Sequence, residues 1–285
     1  MERRTFLTVL GGVPALSLLA ACGAGDVAAP DAPLPTAPDP STPPAESSQR
    51  FRLEIGYYGG YTTREVSFQL QPALLVTADG QVIQPGAVAA IYPGPLLPTD
   101  FTRSIAPDGV DRLIAAVRDA GMLADVTYEV DQQIADASTA TLVIELDGET
   151  YRHEAYALGT GGLSGEPSED SPERQAFAMF AEQLADLSGL VGADNLGTES
   201  RFVPDVYQLV AFPANDLSAG DLEPSIVEWP ASTGIVLSEL TDCATVPREA
   251  VGSLLDDATQ LTFFSEFDVI YSVVPRPAYP GRTCP

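Results

Sequence analysis

The sequence contains no lysine. All 14 basic residues are arginine, and they face 40 Asp and Glu, a single histidine and three cysteines in 285 residues. Without lysine there is no Schiff-base, phosphate-loop or Ser-Lys chemistry. The formal charge of −26 repels a phosphate backbone at every distance inside the Debye length, so nucleic acid is excluded as an expected partner. His-Glu-x-x-His and Cys/His zinc spacings are missing, as are the Gly-x-Ser-x-Gly nucleophile elbow and the Asp-x-Asp-x-Asp-Gly calcium loop. This inventory leads us to expect no cofactor and no metal. What is present is globular in composition, with 45% apolar and 19% charged residues, enough to bury a core.

The N-terminus is organised for export. Arg3 and Arg4 precede an apolar run, Phe6 to Leu19, that is interrupted by Gly11, Gly12 and Pro14 and is too short for a permanent membrane span. Leu19-Ala20-Ala21-Cys22 follows directly and resembles the lipobox of bacterial lipoprotein precursors. That resemblance implies removal of residues 1–21 as a signal peptide and a diacylglyceryl group on Cys22. Arg3-Arg4-Thr5-Phe6-Leu7 resembles a twin-arginine export motif, with Glu2 and Thr8 departing from the residues preferred there; general secretion is the alternative route. Loss of Glu2, Arg3 and Arg4 leaves 12 arginines against 39 acids. Anionic headgroups repel such a body, so membrane attachment is expected to come from the lipid on Cys22.

Residues 23–49 hold seven prolines, six alanines and no aromatic residue. They cannot bury enough apolar surface to offset chain entropy, and with Cys22 they read as a lipidated tether of up to about 80 Å at roughly 3.1 Å per residue. A proline-rich ligand for another domain is the alternative.

From Arg50 the texture is that of an α+β body in which antiparallel hairpins pack with about three amphipathic helices. Hairpins are predicted for 51–55 with 66–70 around Gly59-Gly60, for 73–76 with 81–83 around Asp79-Gly80, and for 139–146 with 149–158 around Asp147-Gly148. Helices are predicted over 107–120, 171–187 and 247–258, with apolar stripes such as Val110, Leu113, Ile114 and Val117. Strands are expected at 206–212 and, as one closing strand, at 263–274, with Trp229 a core residue at a strand end. The body divides either into one large domain or into two small ones, 50–190 and 201–285, with an aperiodic boundary near 189–201. It resembles exported bacterial proteins of unassigned activity, a resemblance that implies no reaction.

Several residues carry candidate chemistry. Cys243 and Cys284 read as a disulfide in an exported body, a reactive thiol at Cys284 beside Arg282 being the alternative. Gly159-Thr160-Gly161-Gly162-Leu163-Ser164-Gly165 lies between strand and helix like a phosphate loop, but Glu166, Glu169, Asp170 and Glu173 crowd the helix entrance, so a connector is expected. His153, in a strand, reads as a packing or surface residue; the functional alternatives are a Ser-His-Asp triad or a zinc site completed by scattered carboxylates. Asp125, Glu129 and Asp131 exemplify acids that could serve a glycosidase, with solubility as the default reading. Tyr57, Tyr58 and Tyr61 surround a turn and could stack on a glycan or a partner protein, or could be ordinary hairpin aromatics. The expectation is a cell-envelope lipoprotein acting as a non-catalytic binding or structural module for an envelope protein or glycan. An envelope hydrolase using His153 and carboxylates is the alternative.

Overall fold

Apolar alternation and paired turns organise the chain around two sheets. The computed structural model describes residues 50–87, 90–128, 135–159, 171–215, 217 and 222–284. The export motif, Cys22 and the tether lie outside the described residues, as do 160–170, Glu129 and Asp131.

The first sheet has seven strands in the order β6-β5-β1-β2-β3-β4-β7 and is antiparallel throughout. They are β1 (Phe51–Gly59), β2 (Pro72–Val76), β3 (Gln81–Pro85), β4 (Asp100–Ser104), β5 (Ser138–Leu146), β6 (Glu149–Tyr156) and β7 (Ser200–Arg201). Asp147 and Gly148, at φ 52° and 91°, close the β5–β6 hairpin as that Asp-Gly pair predicts. Successive residues of a strand face opposite ways. Phe51, Leu53 and Ile55 therefore lie under a helical layer, while Arg52, Glu54, Gly56 and Tyr58 face the other side. The layer comprises α2 (Pro107–Asp119), α3 (Pro172–Ala185) and α4 (Leu187–Val191), whose Leu113, Ile114, Val117, Phe177, Phe180 and Leu184 are buried with Leu142 and Ile144 of β5. Pro107 occupies the first turn of α2, and the Ser171 hydroxyl caps α3 by accepting from the Arg174 N–H.

The second sheet runs β10-β8-β12-β11-β9, from β8 (Val206–Pro213), β9 (Ser225–Glu228), β10 (Ala244–Pro247), β11 (Thr262–Glu266) and β12 (Val269–Pro277). Only the β9–β11 pairing is parallel among the described strands. Helix α5 (Arg248–Asp256) covers one face, and Val251 and Leu255 pack there with Tyr207, Leu209, Trp229, Phe264 and Tyr271. Trp229 follows the end of β9 and its indole N–H donates to Ile235 O at 3.0 Å.

Two expected elements differ. Residues 66–70 are not the second arm of a hairpin with β1 but lie in a helix, α1 (Arg64–Gln69), apart from Leu70, which ends it. Thr63 caps this helix, its hydroxyl accepting from the Val66 N–H at 3.4 Å. Five alternating residues cannot distinguish a strand from a helix that buries one side chain, here Phe68. The expected strand 263–274 is a hairpin, because Phe267 and Asp268 adopt φ of 48° and 62° and turn the chain between β11 and β12. Phe267 is not a usual positive-φ residue and Asp268 is not followed by glycine, so no Asn-Gly or Asp-Gly pair marked the break.

The halves interlock within the compact unit 45–285. Phe68 packs on Val210 and Val274 of the second sheet, and Leu97, from the loop before β4, enters the core beneath α5. In return Tyr279 lies against Leu75 and Ile83 of the first sheet.

Candidate functional site

The face of β1 turned away from the helices is covered by the chain's own last residues. Gly56 leaves a flat spot on which the Tyr58 ring lies; a Cβ there would collide with the Tyr58 hydroxyl. Above that ring sits the Arg282 guanidinium, 4.9 Å from the ring centroid, with Nε donating to Glu54 Oε1 at 2.7 Å. Arg52 donates to the other Glu54 oxygen at 2.6 Å and to the Pro280 carbonyl at 3.3 Å. Glu54 is only 8% exposed, so two guanidinium groups offset the cost of burying its charge.

Three further contacts fasten the C-terminal part of the chain. The Tyr279 hydroxyl donates to Asp100 Oδ2 at 2.7 Å, and both groups are buried. Burial pushes the Asp100 carboxyl up to about 6, against the opposing pull of that hydrogen bond. Burial, followed by the Asp100 charge, raises the Tyr279 phenol strongly. Arg276 donates to Gln208 Oε1 at 2.8 Å and to Phe68 O at 3.0 Å and lies over the Phe68 ring; burial lowers its pKa. Cys284 lies beside Cys243 with their Cα atoms 5.4 Å apart and their sulfurs at bonding distance.

Between this segment and the two sheets runs a groove of about 800 Å³. Gln81, Thr102 and Arg201 line it from the first sheet, Gln208 and Thr245 from the second, and Pro280, Arg282 and Thr283 from the C-terminal segment. Its charged lining is two arginines and Asp205, the reverse of the balance in the whole chain. Arg282 is committed to Glu54, whereas Arg201 is exposed and makes no ion pair among the described residues. A smaller recess adjoins it, where Arg248 meets Asp256 at 2.8 Å. The groove thus offers hydrogen-bonding side chains, short apolar surfaces and one uncommitted cation.

His153 lies elsewhere, on the helix side of the first sheet, and is fully buried. Met122 O can only accept, so Nε2 donates to it at 2.9 Å, leaving Nδ1 to the Tyr128 hydroxyl at 2.8 Å. Phe177 completes the enclosure, with its ring centroid 5.9 Å from that of His153. Burial, then the Glu173 charge, pushes Tyr128 up to about 12. Both ring nitrogens are occupied, and the imidazole joins β6 to the segment that follows α2.

Compared with known family models, curated proteins and solved structures, the chain matches none.

The remaining sequence candidates are scattered. Tyr57 and Tyr58 point to opposite faces of the first sheet; Tyr57 is half-exposed, with its phenol raised by burial, and Tyr61 is 90% exposed in the turn. Asp125 is exposed. Of the glycine-rich stretch only Gly159 is described, at φ 76°. Among the described residues no group of three or more His, Cys, Asp or Glu could hold a metal, and no helix is long and apolar enough to cross a membrane. Sequence reasoning missed Arg201 and the Asp100–Tyr279 pair. For Arg201 the only available signal was the scarcity of cations, which makes each arginine worth locating.

Proposed function

We propose that the chain is an exported lipoprotein of a bacterial envelope, anchored through Cys22 and spaced from the membrane by residues 23–49, whose body is a binding module. The observation that carries the binding role is the inter-sheet groove, with Arg201 uncommitted in a strongly acidic chain. Mixed polar and apolar walls with a few directed hydrogen-bonding groups suit recognition of a small envelope glycan or peptide segment. Acid–base catalysis at neutral pH most often recruits histidine, and here that side chain is enclosed on the opposite face of the sheet.

The test is affinity measurement on the mature chain with a panel of envelope glycan fragments and short peptides, followed by Arg201→Glu. A ligand whose affinity falls at least tenfold in Arg201→Glu supports the reading. A hydrolase activity that disappears in a His153→Ala chain that is still folded would overturn it in favour of an enzyme.

A further inference from the structure

The first sheet terminates at one end in the two-residue β7 and at the other in β6, which is eight residues long. The Ala157 N–H donates to Ser138 O at 2.9 Å, continuing the β5–β6 register, so the odd-numbered residues of β6 carry the bonds to β5. The main-chain N–H and C=O groups of Thr150, Arg152 and Glu154 therefore project from the open edge. All three residues are exposed, and these groups bond to nothing else among the described residues. At the next position the Arg174 guanidinium donates to Tyr156 O, which closes that end of the edge.

Sheet edges are commonly blunted with charge. Here the charges are of both signs and flank His153 symmetrically, Arg152 before it and Glu154 after it, with side chains 58% and 52% exposed on one face, where they pair with each other along the strand and leave both charges open to a second copy. A two-fold axis at His153 sets Arg152 opposite the partner's Glu154 and Glu154 opposite the partner's Arg152. Sliding the copies by two residues, the smallest step that keeps the outward groups facing each other, sets Arg152 against the partner's Arg152 or Glu154 against the partner's Glu154. Opposite charges directly across a strand pair attract and like charges repel, so only the central register is favourable.

We propose that β6 is a self-association edge: two copies pair their β6 strands antiparallel about His153, joining two seven-stranded sheets into one continuous sheet. The occupant is a second copy because the Arg152-x-Glu154 pattern is complementary to itself. In that register each Arg152–Glu154 pair exchanges two main-chain hydrogen bonds, four in all. The contact is small and belongs to the transient class. It forms only where salt screens the mutual repulsion of two bodies this acidic, with a Debye length of about 8 Å at physiological ionic strength.

The experiment is sedimentation of the full chain in mild detergent at physiological salt, for the wild type, Arg152→Glu, Glu154→Arg, their equimolar mixture and the double exchange. The wild type self-associates. Either single exchange places two like-charged pairs across the axis and weakens association by roughly tenfold. The mixture and the double exchange restore opposite charges at both pairs and recover it. In a second measurement, Arg152→Cys mixed with Glu154→Cys forms an intermolecular disulfide that neither variant forms alone. A wild type monomeric at every accessible concentration, single exchanges that associate as tightly as wild type, or a mixture no better than its components would each overturn the proposal.

Discussion

Replacing Asp100 by Asn removes one titration and leaves the shape of the joint intact. Asp100 is buried under Tyr279, and its carboxyl is raised from 3.8 to about 6. A raised carboxyl pKa means that the folded chain holds the proton over a pH range where the unfolded chain has released it. Stability from this group is therefore fully present below the unfolded value and is lost as pH rises through the folded one. At 1.36 kcal/mol per unit, the loss between pH 4.5 and 7.5 is about 2 kcal/mol. The other ionisable groups are common to both chains, so the difference between wild-type and Asp100→Asn stabilities isolates this one. Urea unfolding of both chains across that range should show the wild type losing about 2 kcal/mol relative to Asp100→Asn as pH rises. A difference that is flat, or that moves in the wild type's favour with pH, would refute the reasoning. Tyr279→Phe removes the hydrogen bond that holds the carboxylate down and should steepen the loss.

Mass analysis of the mature chain without reductant should find Cys243 linked to Cys284, and Cys243→Ser with Cys284→Ser should cost about 4 kcal/mol in the chain-entropy account of a cross-link at a separation of 41 residues; two free thiols in freshly exported protein contradict this. His153→Ala empties an enclosed site and strands the Met122 carbonyl, so unfolding should show a loss of about 3 kcal/mol, and a loss below about 1 kcal/mol would contradict a structural role. Cys22→Ser should abolish lipidation and membrane retention; a lipid-free chain that stays on the membrane contradicts the anchor.

The parts of the fold legible in the sequence were those set by local rules. Asp79-Gly80 and Asp147-Gly148 announced their hairpins, and Val110, Leu113, Ile114 and Val117 announced the buried face of α2. Residues 66–70 misled because their alternation was short and the decisive contact of Phe68 lies with Val210 and Val274, more than 140 positions away. Phe267-Asp268 misled because the turn places a phenylalanine at positive φ and lacks the Asn-Gly or Asp-Gly pair. The groove was illegible for a different reason. Gln81, Thr102, Arg201 and Thr245 come from separate strands, which strand pairing within the two sheets and the return of the C-terminal segment across β1 bring to one groove. For His153 the sequence left packing and surface open, and it showed neither its burial nor its partners Met122 and Tyr128, which lie 31 and 25 positions earlier.

The most direct test of the binding role is amide chemical-shift mapping of the isotopically labelled mature chain with the tightest ligand from the glycan and peptide panel. The account predicts shifts concentrated at Arg201, Gln208, Thr245 and Thr283, with the ligand recovered unchanged. Shifts centred away from those residues, or conversion of the ligand during the measurement, would contradict it.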